Sequence, residues 1–227
     1  MRSLLFILPI IFLWSCSSKP KEEGVDTSIT PQEEQAPEAP NESEKSPELQ
    51  EDAGRTEWQN PEFVLNLLGD LTDKTVADVG AGSGYFTFKI ARKAKKVIAL
   101  DIDPNSLEYI QNQKSIVGSW ADNIDTRLTP ADVPNLLDNE VDIVLIVNTY
   151  AYIPNKSQYL NRLKKGMKHG GLLVIIDFKT GEIPVGPSDE AKVSSETLEQ
   201  SLKQAGFSNT KTDNKSLQYQ YIITAKN

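Results

Sequence analysis

The stretch VADVGAGSGYF, residues 76–86, sets three glycines at alternate positions behind a carboxylate, Asp78. An aliphatic run leads into it and a helical pattern follows, so it reads as a strand turning into a helix. Gly80, Gly82 and Gly84 permit a tight turn and leave room for a ligand against the backbone. The helix start beyond them offers unpaired N–H groups to a polar or anionic group. A dinucleotide fingerprint requires glycine at the first, third and sixth positions, and the sixth here is Tyr85, which obstructs close helix–strand packing. Asp78, at the strand end, would repel a pyrophosphate and attract an ammonium group. A second acid, Asp101, ends a strand within VIALDIDP, residues 97–104. It lies about twenty residues beyond Gly80, where a carboxylate at a strand tip can accept both hydroxyls of a ribose.

These side chains need a sheet to hold them, and the pattern of residues 55–227 supplies one. Helices are expected over 61–68, 85–94, 104–113, 155–167 and 194–205. Asn60, Asp103 and Ser194 or Ser195 are the N-caps, and Pro61 and Pro104 take first helical positions. Gly206 stops the last of these helices. Strands are expected over 75–79, 97–100, 115–118, 141–147 and 172–178, with a closing hairpin near 209–212 and 217–225. Residues 119–140 read as irregular, with a short helix near 132–137. The nearly unbroken aliphatic runs at 141–147 and 172–178 suit strands covered on both faces. Alternation of strand and helix predicts a doubly wound α/β sheet.

Composition removes several alternatives. The 227 residues include one Cys and one His, too few for a Cys/His zinc site or an intramolecular disulfide. A Ser-His-Asp hydrolase could draw only on His169, expected in a solvated loop before the strand at 172. The net charge of −8 argues against a nucleic-acid partner. That charge is unevenly placed: residues 17–54 carry eleven acidic and three basic side chains, while 55–227 carry 21 and 20.

A ligand with an ammonium group, a free ribose and no phosphate is S-adenosylmethionine, and here the chain resembles the class I methyltransferases over essentially all of 55–227. The blocks RTEWQNP (55–61), VADVGAGSGYFT (76–87), VDIVLIVNTYAYI (141–153), MKHGGLLVIIDFKTGEIPVGP (167–187) and KVSSETLEQSLKQAGF (192–207) are similar to a bacterial small-molecule subgroup related to the ubiquinone/menaquinone-biosynthesis methyltransferases. The resemblance implies a mostly parallel, seven-stranded Rossmann-like sheet with a C-terminal antiparallel hairpin. It assigns Asp78 to the methionine amino group, the turn at Gly80, Ala81, Gly82 and Gly84 to the cofactor, and Asp101 with Ile102 to the nucleoside. Asp122, with Ala121 or Asn123, would contact adenine after the third strand, and Asn148 at the fourth-strand tip would sit beside the transferred methyl. An aromatic rim of Tyr85, Tyr150 and Tyr152 would face the cation. Subgroup members often carry a His pair where this chain has Ala151-Tyr152, so no imidazole is offered there. Asp177 and Lys179 are the nearby polar side chains, both expected to be structural. The implied function is methyl transfer to a small-molecule acceptor; the alternative is an inactive binding or scaffold module of the same fold.

The N-terminus is of another kind. Arg2 precedes an apolar run over residues 4–14, broken only by Pro9. This is too short to span a bilayer but suits a signal-peptide core. The run ends in Leu13-Trp14-Ser15-Cys16, which resembles a bacterial lipobox. Residues 1–15 are therefore expected to be a lipoprotein signal and Cys16 the lipidated residue. Residues 17–54 hold five Pro, no aromatic and six aliphatic side chains, a composition expected to remain a disordered tether. The anchor is expected to place the protein in a bacterial cell envelope, on the periplasmic face or the cell surface, with the membrane as its partner through the lipid.

Overall fold

A computed structural model describes residues 54–227; the predicted signal, Cys16 and nearly all of the tether lie outside the described residues. Two short helices open the domain, α1 (Arg55–Gln59) and α2 (Pro61–Leu68). There follow β1 (Thr75–Val79), α3 (Tyr85–Ala91), β2 (Lys96–Asp101), α4 (Pro104–Val117) and β3 (Ile124–Leu128). The second half contains β4 (Val141–Val147), α5 (Lys156–Gly166), β5 (Met167–Phe178), α6 (Ser195–Gln204), β6 (Ser208–Asp213) and β7 (Gln220–Lys226). The strands form one seven-stranded sheet in the order β3-β2-β1-β4-β5-β7-β6. The first five run parallel, and β7 and β6 add antiparallel pairs.

The central strands are aliphatic because both of their faces are covered. In β4, Ile143, Leu145 and Val147 join a core with α2, α3 and α4, whereas Val144 and Ile146 join a second core with α5 and α6. Successive side chains of a strand point to opposite faces, so one run feeds both layers. Each fully buried aliphatic side chain contributes roughly 1.5–3 kcal/mol. The helix starts follow local chemistry. Asn60 Oδ1 accepts from the Phe63 N–H at 3.3 Å. Asp103 accepts from the N–H groups of Asn105 and Ser106 at 3.0 and 3.1 Å, and Ser194 caps α6 through the Thr197 N–H at 3.2 Å.

The third strand departs from expectation. Residues 115–117 continue α4, which stops at Gly118 (φ 99°); Ile116 is solvent-facing, and its β-branching does not decide its conformation. The strand is instead Ile124–Leu128, at the sheet edge, with Asp125 and Arg127 paired to charges rather than packed. An edge strand has only one neighbour to satisfy and tolerates such residues. No helix forms near 132–137. That segment is held by Glu140, whose Oε1 and Oε2 accept from Arg127 Nη2 and Nη1 at 2.6 and 2.8 Å. The long strand β5 starts at Met167, five residues earlier than the aliphatic pattern implies. No helix of the described residues is long and apolar enough to cross a membrane.

Candidate active site

Parallel strands deliver their C-terminal tips to one edge of the sheet, and loops rising from those tips enclose a cleft of about 840 Å³. Asp78 lies in its floor, 3% exposed, and its Oδ2 accepts a 2.6 Å hydrogen bond from Thr87 Oγ1 of α3. Burial pushes its carboxyl up to about 6; repulsion from Asp101 adds to this, while the Thr87 hydrogen bond and the Arg55 guanidinium oppose it. The opposing groups do not offset the cost of burying the charge.

Asp101 ends the neighbouring strand. Its Oδ2 accepts from the Gly82 N–H at 2.7 Å and its Oδ1 from the Asp103 N–H at 2.9 Å. One bond to each oxygen fixes the carboxylate plane and leaves a lone pair on each for a further donor. The turn between the two acids is secured by Gly80 and Ala81, whose N–H groups donate to the Leu100 carbonyl at 2.8 and 3.1 Å. Gly80 adopts φ 73°, and a Cβ there would lie 2.1 Å from Thr149 Oγ1. The post-β4 loop can close on the turn only because position 80 has no side chain. Gly84 serves differently: a Cβ would meet Phe88 and Ile110 at 2.8 and 3.0 Å, and it does not line the cleft. It lets α3 and α4 pack together.

The structure brings Asp78, Gly80, Ala81, Gly82, Asp101, Ile102, Asn148 and Tyr152 together around one cleft. It separates others. Asp122 precedes β3, and Asn123 beside it pins the end of α3 by donating to the Ala91 and Ala94 carbonyls at 2.9 and 2.8 Å. Both lie at the far end of the sheet, so the adenine expectation for Asp122 is corrected. The chain leaving β3 into the cleft is Thr129-Pro130-Ala131, with the Thr129 N–H on the Asp101 carbonyl at 2.9 Å. The aromatic rim is corrected at Tyr150, whereas Tyr85 and Tyr152 both line the cleft. Tyr150 is fully buried in the core shared with α5 and α6. Two cations already lie over the Tyr85 ring, Arg55 at 4.3 Å and Lys89 at 4.5 Å. Only Tyr152, 63% exposed, keeps an open ring on the cleft.

Asp177 and Lys179 stand outside the cleft, as structural groups. Asp177 accepts from the N–H groups of Phe178 and Ala151 at 2.9 and 3.2 Å, and Lys179 Nζ donates to the carbonyls of Leu217 and Gln218 at 2.7 and 2.9 Å. His169 is exposed near the start of β5, at the opposite edge of the sheet. Arg55 escaped sequence reasoning. It is the one Lys, Arg or His lining the cleft among the described residues, presented by α1 with its Nε donating to Gln59 Oε1 at 2.6 Å. A five-residue helix carries no periodicity that could have drawn attention to it.

A family model described as a methyltransferase domain matches residues 71–225. The chain belongs to that family. The domain is of the class I, S-adenosylmethionine-dependent type. A demethylmenaquinone methyltransferase of Tropheryma whipplei (strain Twist) is 33% identical over 115 residues, covering 51% of this chain and 46% of that protein. A ubiquinone/menaquinone biosynthesis C-methyltransferase of Hahella chejuensis is 27% identical over 126 residues, covering 54% and 50%. The chain thus spans about half the length of the curated relatives it matches. Among solved structures, a SAM-dependent methyltransferase from Aquifex aeolicus superposes with a TM-score of 0.70 at 26% identity, covering 77% of this chain and 93% of that one. Phosphoethanolamine N-methyltransferase 2 of Haemonchus contortus, in complex with S-adenosyl-L-methionine, shares the fold with a TM-score of 0.64 at 14% identity, covering 74% and 52%. Asp78 is a buried acid, Asp101 keeps a free lone pair on each oxygen, and the bare turn at Gly80–Gly82 lies between them.

Proposed function

We propose that the protein transfers a methyl group from S-adenosylmethionine to a small-molecule acceptor while tethered to a bacterial membrane through a lipid on Cys16. The carrying observation is the placement of Asp78 and Asp101 at adjacent strand tips, facing one cleft of about 840 Å³ across a glycine turn. The cofactor, when bound, supplies an electrophilic methyl on a sulfonium. Asp78 receives its ammonium group and Arg55 its carboxylate. Asp101 takes the ribose hydroxyls, and Ile102 and the segment Thr129–Ala131 flank the base. Asn148 and Tyr152 border the remaining space, where the acceptor is oriented. Orientation is the domain's main contribution, since holding reactants in line can remove several kcal/mol of barrier.

The envelope location rests on the apolar run over 4–14 ending at Cys16 and on the acidic, Pro-rich stretch that follows. The test of the catalytic reading is binding of radiolabelled S-adenosylmethionine to the full chain. Asp101→Ala is expected to weaken it by about 10- to 100-fold, the worth of one or two charged hydrogen bonds. A folded parent that binds no label would overturn the reading. Fractionation with Cys16→Ala tests the anchor: a variant still found with membranes would remove the lipid from the account.

A further inference from the structure

Asn148 follows the last residue of β4 in a left-handed backbone conformation, φ 56°. It lines the cleft, yet its side-chain oxygen is turned inward: Oδ1 accepts a 2.5 Å hydrogen bond from Gln220 Nε2. Gln220 opens β7 opposite Phe178 and is fully buried. Its own Oε1 has no hydrogen-bond partner among the described residues.

Counting unpaired groups shows why the two amides face this way. The observed arrangement leaves one buried amide oxygen without a donor and one of the two Gln220 N–H groups without an acceptor among the described residues. Turning both amides over would pair Asn148 Nδ2 with Gln220 Oε1 and strand the two N–H groups of Gln220 instead. Orphaned buried N–H groups are rarer than under-satisfied carbonyls, and each carries a desolvation penalty. With its oxygen committed to Gln220, Asn148 keeps an Nδ2 that makes no hydrogen bond to any described residue and is not buried.

We propose that Gln220 is a positioning residue that locks the Asn148 amide with its NH₂ toward the cleft, so that the group seated beside Asn148 must be a hydrogen-bond acceptor such as a carbonyl, phenolate or ring nitrogen. An ammonium group at that place would meet two N–H groups and no lone pair. The inference deepens the methyl-transfer reading and rests on it for the identity of the cleft. The amide's direction stands without it.

The test uses the full chain, labelled at its side-chain amides and saturated with S-adenosylhomocysteine. A scalar coupling across the hydrogen bond from Gln220 Nε2 to Asn148 Cγ is expected. Para-nitrophenolate should shift the Asn148 Nδ2 protons and ethylammonium should not. Gln220→Glu, which can only accept when ionised, should turn the Asn148 carbonyl outward and weaken the phenolate response by about tenfold or more. If that buried acid prevents folding, Gln220→Met keeps the size, removes the donor and should abolish discrimination between the two probes. A coupling from Asn148 Nδ2 to Gln220 Cδ overturns the proposal. So does a parent whose Asn148 protons follow ethylammonium or neither probe, or a folded Gln220→Met that still discriminates. Failure of S-adenosylhomocysteine to bind would instead strike the methyltransferase reading, and the coupling direction would still decide the amide.

Discussion

Thr149 occupies the space that any side chain at Gly80 would need. A Cβ at position 80 falls 2.1 Å from Thr149 Oγ1 and 2.5 Å from its Cγ2, and the Thr149 hydroxyl is itself tied to the Val147 carbonyl at 2.9 Å. Gly80→Ala is therefore expected to destabilise the domain by about 2–5 kcal/mol, combining overpacking with a left-handed backbone cost. Adding Thr149→Gly should recover the packing part and leave about 1–2 kcal/mol. Urea unfolding of the two single variants and the double variant measures this coupling.

Asp78 carries an opposite sign for folding and for ligand binding. Its carboxyl is raised from 3.8 to about 6 in the fold, chiefly by burial. A raised acid binds its proton more tightly folded than unfolded, so its contribution to stability falls as pH rises from about 4 to 6. Asp78→Asn, which still accepts from Thr87, should stabilise the protein at pH 7 by up to about 3 kcal/mol, an advantage that fades below about pH 4. Cofactor affinity of the parent should instead rise with pH through about 6, as the carboxylate forms. Thermal melts and cofactor titrations across this range check both slopes.

Arg55 faces the amino-acid end of the cofactor in this account. Arg55→Leu keeps an apolar stem and removes the charge, and should weaken S-adenosylmethionine binding by about tenfold. Adenosine lacks the amino acid, so its affinity should not change. Paired titrations distinguish a lost carboxylate contact from a disturbed α1.

The fork between Arg127 and Glu140 clamps the segment that brings Thr129–Ala131 to the cleft. Hydrogen bonding to Arg127 holds Glu140 below its usual value of 4.5. A depressed acid contributes stability that is complete above about pH 4.5 and is lost as pH falls through its folded value. Arg127→Ala should cost about 1–3 kcal/mol near neutrality, reduced by partial exposure of the pair. It should also raise proteolytic cleavage within 129–140. Acid unfolding curves of parent and variant should converge.

The motif that carries the chemistry was legible because its constraints are local. The glycines at 80 and 82 and the acids at 78 and 101 sit at fixed offsets from strand ends, and aliphatic runs betray strands buried on both faces. The misplaced third strand had no such signature: Ile116 and Val117 look strand-like but end a helix, whereas Ile124–Leu128 survives as an edge strand with two charges in five residues. Tyr150 and Tyr152 are equivalent as letters. A single 3₁₀ turn sends one into the core and the other to the rim, and tertiary packing decides which. Arg55 and Gln220 matter through contacts with α3 and the post-β4 loop, far from them in sequence.

The arrival of the chain at α1 has a practical corollary. The family match begins at residue 71, and a fragment cut there would retain every strand of the sheet. It would also discard Arg55, the sole basic group bordering the cavity among the described residues, and Gln59, which steadies it. A shortened protein could then fold well and still lack the contact proposed for one end of the nucleoside, so any trimming of the N-terminal segment must stop short of Gly54 to leave the border of the cleft whole.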